Sequence, residues 1–249
     1  MSITYDTKFS NSPAVLLSAQ RALHDKLERI AHNLSKVDVN GAKEESIVFA
    51  EQVSKSKDGK MVSYVKEEGI LRNLEQGVLK STGNPLDLAL EGDAYFTLQD
   101  PKNNAVRYTR DGHFHVNRDN FLVNDQNLQV LSTTRTNISI PFEEQPIRIT
   151  HTGKVIGAKG VIADLNIVAF EKEQALISKT GGLYETDQKE VEPKRFQIEQ
   201  GYLEDSNINA IKQATLIVDV SRAYQQIQAV IEKTNDNLQE TIERVVKIV

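Results

Sequence analysis

Two histidines form the arrangement in this sequence that comes nearest to a chemical site. His113 and His115 follow the Asp111-Gly112 pair, and side chains two residues apart on a strand point to the same face. Two imidazoles on one face can hold a metal ion loosely, but a stable site needs a third ligand. We therefore interpret the pair as part of a polar strand face, and we predict no metal site.

Other catalytic signatures are missing from the sequence. It contains no glycine-rich phosphate loop, no dinucleotide-binding fingerprint and no Gly-x-Ser-x-Gly elbow. Gly181-Gly182 is interpreted as a turn rather than as a phosphate cradle. We predict no catalytic residue, no cofactor and no small-molecule substrate. An enzyme with an all-β catalytic body remains an alternative, and it would need a defined pocket with perturbed ionisable groups.

The composition of the chain argues against nucleic-acid-binding, membrane-spanning and disulfide-bonded classes of protein. The 249 residues are 39% apolar and 26% charged, as in globular proteins, and the formal net charge is −5. A nucleic-acid partner is not expected, because a phosphate-binding surface is usually basic. No run of apolar residues is long enough for a membrane span, and residues 1–12 lack the apolar core of a cleaved signal peptide. The absence of cysteine excludes disulfides and suits a chain that is exported unfolded.

An apolar heptad repeat occupies the C-terminal forty residues. Polar residues separate its two rows, which are offset by three positions, and no Gly or Pro interrupts it. We predict one coiled-coil helix within residues 205–249, about 60 Å long at 1.5 Å per residue, with Asp205 and Ser206 before its first turn. The row residues named as an assembly interface are Ile217, Val220, Tyr224, Ile227, Ile231, Leu238 and Val245.

A second apolar stripe lies near the N-terminus. Ser12-Pro13 is typical of a helix start, and Asn40-Gly41 is a favoured helix stop. Two helices with matching stripes can bury them against each other and against neighbouring subunits, so helix formation is expected to accompany assembly. The N-terminal members of the predicted interface are Leu16, Leu23, Leu27, Ile30 and Leu34.

The hydrophobic period changes to two between the helices. We predict hairpins around Glu91-Gly92-Asp93 and Asp111-Gly112, and one long strand over Val161–Phe170. The predicted fold class is α+β, with terminal helices that pair as a coiled-coil layer and a central all-β domain, barrel- or sandwich-like. The predicted divisions are an N-terminal helix (1–43), an extended linker (44–80), the β domain (81–204) and the C-terminal helix (205–249).

Several motifs resemble the bacterial flagellar rod and hook protein family. The segment Asn33–Lys43 is similar to an Asn-Leu-Ala-Asn-x-x-Thr-x-Gly-(aromatic)-Lys signature, and it departs from that pattern at Ser35, Lys36, Val39 and Ala42. Thr82–Leu98 resembles the motif that opens the family's β domain almost residue for residue. Further similarities, in family order, are Tyr108–Phe114, Asn120 where the family usually has Gly, Gly201–Asn209 and Arg222–Tyr224.

The resemblance implies a short rod subunit, because 249 residues leave no room for the extra domains of hook proteins. It is most like the proximal-rod subunit, because residues 44–80 lack the glycine-rich insertion that is usual in the distal rod protein. The resemblance also implies a structural subunit of the flagellar basal body, exported by the flagellar type III apparatus without a cleaved signal. Its partners would be copies of itself and other rod subunits, and its task would be to transmit torque to the hook. The alternatives are a distal-rod subunit and a soluble cytoplasmic adaptor whose coiled coil forms a discrete dimer.

Overall fold

The computed structural model describes residues 13–55 and 61–246, which divide into two compact units. The unit that we call the helical unit contains the first helix, residues 45–71 and the last helix. The unit that we call the β unit contains residues 35–44 and 72–209. Within the described ranges, no helix is long and apolar enough to cross a membrane.

The helical unit begins and ends with an α-helix. Helix α1 runs over Pro13–Leu34, with Pro13 in the first turn, where a missing N–H is tolerated. It ends six residues before the predicted stop at Asn40. Helix α2 spans Ala210–Val246 and begins four residues after Ser206. Its 37 residues continue without a break because no Gly or Pro interrupts them.

The prediction that these helices pair as a coiled-coil layer is wrong. A coiled coil needs a continuous row of buried side chains from both helices. Beyond Val220, none of the α2 side chains that the structure describes is buried, and Leu34 at the end of α1 is exposed. Helix α1 also turns part of its surface to a strand, because Arg29 Nη1 lies 2.7 Å from Glu45 Oε2.

A two-stranded sheet completes the helical unit. Strand β1 covers Glu45–Lys55 and pairs with β2, Met61–Arg72. Residues 56–60, between the two strands, lie outside the described residues. The segment predicted as an extended linker (44–80) contains these two long paired strands.

The β unit is built from short strands. In the part of the chain that the structure describes, these are β3 (Leu79–Ser81), β4 (Leu88–Glu91), β5 (Tyr95–Gln99), β6 (Val106–Thr109), β7 (His115–Val116), β8 (Leu122–Val123), β9 (Gln129–Val130), β10 (Arg148–Ile149), β11 (Lys154–Gly157), β12 (Gly160–Asp164), β13 (Ile167–Val168), β14 (Ile177–Ser178), β15 (Leu183–Glu185), β16 (Gln197–Gln200) and β17 (Tyr202–Glu204). Two 3-10 turns, Phe142–Glu144 and Glu173–Ala175, lie between them.

These strands form separate sheets, so the prediction of a barrel- or sandwich-like domain is wrong. The largest sheet has the order β14-β15-β6-β5-β9-β8-β7, with β13 also paired to β5. This order ends at β14 and at β7, and within the described residues those two strands do not pair with each other to close a barrel. The remaining strands form the sheets β10-β11-β12, β16-β4 and β17-β3.

The local hairpin predictions also fail. Strands β4 and β5 flank Gly92 but do not pair, since β4 pairs with β16 and β5 with β6, β9 and β13. Strand β6 pairs with β5 and β15 rather than with β7. The predicted long strand over Val161–Phe170 is divided between β12 and β13, which belong to different sheets. Pairings between strands that are distant in the chain, such as β16 with β4 and β17 with β3, therefore accompany those between neighbouring strands.

The β unit has a main apolar core and a smaller aromatic one. The main core collects fully buried side chains from several sheets, including Leu88, Phe96, Phe114, Leu122 and Ile198. Because each strand is short, burial of these side chains together stabilises the unit more than any single ladder does. The smaller cluster comprises Tyr95, Tyr108, Val168, Phe170, Leu176 and Tyr184.

Candidate assembly surface

The predicted interface residues of α1 lie along one stripe of the helix, with burial that changes along its length. Leu16, Leu23 and Leu27 are half-buried, Ile30 is buried, and Leu34 is exposed. A half-buried leucine still leaves apolar surface to water, and removal of that surface would be favourable. The stripe therefore retains apolar area that a further subunit could cover.

The predicted interface residues of α2 show the same partial burial. Val220 is buried, whereas Ile217, Tyr224, Ile227 and Ile231 are half-buried. Leu238 and Val245 belong to the helix, but their side chains lie outside the described residues. Helix α2 continues well past its buried part, and a long helix with an uncovered apolar face is marginal in water. We call these residues of α1 and α2 together the seam.

A polar contact missed by the sequence reasoning fixes the end of α1. Asn33 is buried, and its Nδ2 donates to the carbonyl oxygen of Glu45 at 2.7 Å while its Oδ1 accepts from the Glu45 N–H at 3.0 Å. Its Nδ2 also lies 3.4 Å from Gln213 Oε1 on α2. Asn33 thus satisfies strand-edge groups that would otherwise be buried without partners. Asn33 opens the first motif, which was the only available signal of this role.

A buried charge cluster lies in the β unit. Glu204 is fully buried, and its Oε1 accepts from Lys43 Nζ at 2.6 Å and from the Gly77 N–H at 3.1 Å. Its Oε2 accepts from Arg110 Nε at 2.9 Å. The side chains of Lys43 and Arg110 are almost completely buried as well. One carboxylate therefore holds two cations in a region without bulk water, where each charge needs a partner.

The remaining donors of the two cations are also satisfied. Arg110 Nη1 donates to the carbonyl oxygens of Gly92 and Ala94, and its Nη2 donates to that of Leu90. Lys43 Nζ donates to the carbonyl oxygen of Glu75 at 2.7 Å. Burial lowers the pKa of Lys43, and the charge of Glu204 opposes that shift only in part. The cluster thus ties together backbone from several distant parts of the β unit.

The cluster explains why three of the sequence motifs contain charges beside glycines. Lys43 ends the first motif, Arg110 lies in the third, and Glu204 lies in the fourth. A β-carbon at Gly41 would lie 2.7 Å from Cβ of Arg110, so only glycine allows this approach. Sequence reasoning recognised the motifs but had no means to bring the three charges together.

The two histidines occupy a partly exposed position. His113 Nδ1 lies 2.8 Å from Oδ1 of the buried Asp87, and Asp125 Oδ1 lies 3.8 Å from His113 Nε2 and 3.9 Å from His115 Nδ1. Burial lowers the pKa of His113, but the hydrogen bond and charge of Asp87 outweigh it and raise the pKa overall. Among the described residues, no group of three or more His, Cys, Asp or Glu side chains could hold a metal ion.

Two protein-family models match the chain. The flagellar hook protein FlgE/F/G D1 domain matches residues 89–157, within the β unit. The flagellar basal body rod FlgEFG protein C-terminal model matches residues 199–244, which include the end of the β unit and most of α2. The matched residues contain Arg110, Glu204 and the seam residues from Ile217 to Leu238.

Whole-chain relatives agree with these models. A flagellar basal-body rod protein FlgF of Caulobacter vibrioides is 30% identical, over 96% of this chain and 99% of that protein. One of Rhizobium meliloti is also 30% identical, over 92% of this chain and 95% of its own length. A flagellar basal-body rod protein FlgG of Bacillus subtilis is 25% identical, over 91% and 96% respectively. The chain belongs to the flagellar basal-body rod protein family.

Proposed function

We propose that this chain is a structural subunit of the flagellar basal-body rod that polymerises through its seam and so helps to transmit torque from motor to hook. The observation that carries the proposal is the seam itself. Apolar side chains of α1 and α2 share one unit yet stay half-exposed in the single chain. Packing against neighbouring subunits would remove that surface from water and stabilise both helices.

The β unit has a mechanical role in this proposal. Its buried cores and the Lys43–Glu204–Arg110 cluster make it a firmly packed body, since a closely packed interior has low compressibility and transmits strain. The proposed assembly is head-to-tail and helical, because an open polymer uses two different patches on each subunit. The seam then provides the axial contacts, and the β unit separates and spaces the subunits.

We further propose that the partners are copies of this chain and other rod subunits, and that the flagellar type III apparatus exports it. A location in the rod follows from membership of the family, whereas export through that apparatus is our inference. A chain without cysteine forms no disulfide that would block passage in an unfolded state. Deletion of the export ATPase should leave the chain inside the cell, and its normal arrival in the envelope would contradict this part of the proposal.

The position along the rod distinguishes two forms of the proposal. We place the chain in the proximal rod, because residues 44–80 hold few glycines and lack the glycine-rich insertion expected of a distal subunit. Copy number separates the two, since a distal subunit is expected in several-fold excess over a proximal one.

The deciding experiment is quantitative mass spectrometry of hook–basal bodies purified from the source cells. We expect the chain to be enriched there at a few copies per structure. Several-fold more copies would favour the distal position. Absence from hook–basal bodies, with the chain recovered from the soluble cell fraction, would contradict a role as a rod subunit.

A further inference from the structure

Helix α2 carries a second apolar row on the face opposite its buried side. Its buried residues, Gln213 and Val220, mark the inner face. At about 100° per residue, Ile211 and Val218 lie about 160–180° around the helix from Val220. Ile211 is 80% exposed and Val218 is 47% exposed. The outer side of a surface helix is normally polar, so exposed apolar residues there suggest a surface that another molecule covers. We call Ile211, Ala214 and Val218 the outer row.

A groove of matching character runs between α1 and the β1–β2 sheet within the helical unit. One part of it, about 450 Å³, is lined by Leu17, Ala22, Phe49 and Val65, with Arg21 and Lys66 beside them. Leu17 is 55% exposed and Val65 is 41% exposed. Apolar side chains left open to water on both walls gain free energy when another apolar surface covers them. We call this hollow and its continuation the helix–sheet groove.

The continuation of the groove is acidic. A second hollow of about 370 Å³ shares Asp25 and Glu67 with the first and adds Glu28 and Arg29 to its lining. The guanidinium of Arg29 is 2.7 Å from the carboxylate of the buried Glu45, so this positive charge is already matched. The carboxylates of Asp25, Glu28 and Glu67 therefore leave this end of the groove with excess negative charge. A basic group on an incoming surface would fit there.

The outer face of α2 presents the same order of apolar and charged groups. Arg222 follows Val218 by one helical turn and is exposed on that outer face. From Ala214 to Arg222 is eight residues, about 12 Å along a helix, and from Leu17 to Asp25 is also eight residues, about 12 Å. The apolar and charged parts of the two surfaces thus have equal spacing.

We propose that the outer row of α2 in one copy packs into the helix–sheet groove of a second copy, with Arg222 against Asp25 and Glu67. This proposal rests on the proposed rod function and names the contact through which one copy joins the next. The two surfaces are different patches of the same chain, so the contact is heterologous and can be repeated along an open helix. The seam is left available, because it lies on the other side of α2.

Disulfide trapping tests the contact directly, since the chain has no native cysteine. Cells would produce two differently tagged copies, one with Leu17→Cys and the other with Ala214→Cys. After mild oxidation of purified hook–basal bodies, we expect a mixed disulfide dimer that carries both tags. The matched control replaces Ala214→Cys by Glu232→Cys, an exposed position about 27 Å farther along α2, and it should give at least ten-fold less dimer.

Charge exchange provides an independent test. Arg222→Glu places a fourth carboxylate at the acidic end, and we expect at least a ten-fold loss of the trapped dimer. Asp25→Arg together with Glu67→Arg in the other copy should restore it. Both cysteine variants present in hook–basal bodies at normal abundance, but with no mixed dimer or with Leu17→Cys linked to a different protein, would overturn this contact and leave the rod function intact. Absence of the chain from hook–basal bodies would overturn both.

Discussion

Replacement of Glu204 by glutamine should destabilise the β unit more than any change on its surface. In the native cluster, one buried carboxylate faces Lys43, Arg110 and the Gly77 N–H. Glutamine has one carbonyl oxygen and no charge, so Glu204→Gln would leave two buried cations without an anion. Removal of one partner from a buried ion pair typically costs about 3–5 kcal/mol. The carboxylate of Glu173 also attracts Lys43 and Arg110, but it makes no hydrogen bond to Lys43 or Arg110 that would replace those of Glu204. For a chain of this size the loss corresponds to a fall in melting temperature of about 6–20 °C.

Replacement of Lys43 by methionine should destabilise the β unit much less than replacement of Glu204, because the cluster has one more cation than it has carboxylates. The cluster contains two cations and one carboxylate, and burial lowers the pKa of Lys43 below its usual value. Lys43→Met removes the excess cation and leaves Glu204 paired with Arg110, so it should cost much less than Glu204→Gln. A buried ion pair or triad can often be replaced by apolar groups at little cost. The order of the two variants therefore tests the electrostatic argument and not only the presence of packing.

The assay is urea unfolding of the full chain, followed by near-ultraviolet circular dichroism. Tyr95, Tyr108 and Tyr184 are buried together in the β unit, so their signal reports its packing. The control is Glu143→Gln, which removes an exposed partner 2.9 Å from Lys159 and should cost no more than about 1 kcal/mol. A free energy of unfolding for Glu204→Gln within about 1 kcal/mol of the unmodified chain, or a larger loss for Lys43→Met than for Glu204→Gln, would contradict the electrostatic role of the cluster.

Ile231→Asp places a charge in the seam, so cells should lose motility while the near-ultraviolet signal of the β unit persists, and normal swimming would count against the seam. Gly112→Ala should cost about 1–3 kcal/mol in urea unfolding, because a β-carbon there would overlap the carbonyl oxygen of Leu88, whereas Gly69→Ala, with open space around it, should stay within about 0.5 kcal/mol. Burial raises the pKa of Tyr95 and Tyr108. As the pH rises, the unfolded chain therefore loses these protons first, near pH 10, and the free energy of unfolding should fall above that value. Unfolding curves at alkaline pH would measure this decline, which Tyr108→Phe should reduce.

The helical ends of the chain were readable from the sequence because their signal is local. A period of 3.6 residues, Pro13 in a first turn and a long stretch free of Gly and Pro each act within a few residues of chain. Asn120 stands where the family usually has Gly, and its φ of 64° is one that Gly and Asn adopt more readily than other residues. Helix positions and backbone angles of this kind can be predicted without knowing which distant residues contact them.

The pairing of the helices and strands was not readable in the same way. The Asp111-Gly112 pair suggested a two-residue hairpin, but Gly112 is not among the glycines with positive φ. Glycine is needed there because the chain passes close to Leu88 from another strand. The coiled-coil prediction failed because it also depended on contacts that are distant in the chain. A heptad pattern identifies the apolar side chains that need to be buried, but it does not identify the surface that buries them.

The charge cluster was hidden from the sequence for a further physical reason. Lys, Arg and Glu are mostly exposed in proteins, so Lys43, Arg110 and Glu204 individually suggest a solvated surface. Their burial depends on three segments that lie far apart in the chain and meet only in the folded β unit. The position of these charged residues among glycines and apolar residues of a motif is the sequence feature that could have indicated their burial.

Three segments of the β unit, around Glu44, Asn73 and Asn207, lie side by side close to the points where the chain leaves and re-enters the unit. The Gly41 N–H donates to the carbonyl oxygen of Glu204 at 2.7 Å, and the Glu44 N–H donates to Asn207 Oδ1 at 2.7 Å. A domain whose entry and exit are adjacent behaves as a cassette, because its size can change without moving the points at which the flanking chain attaches. Exchange of the β unit for a larger or smaller body at these junctions would therefore leave the attachment points of the flanking helices and strands in place.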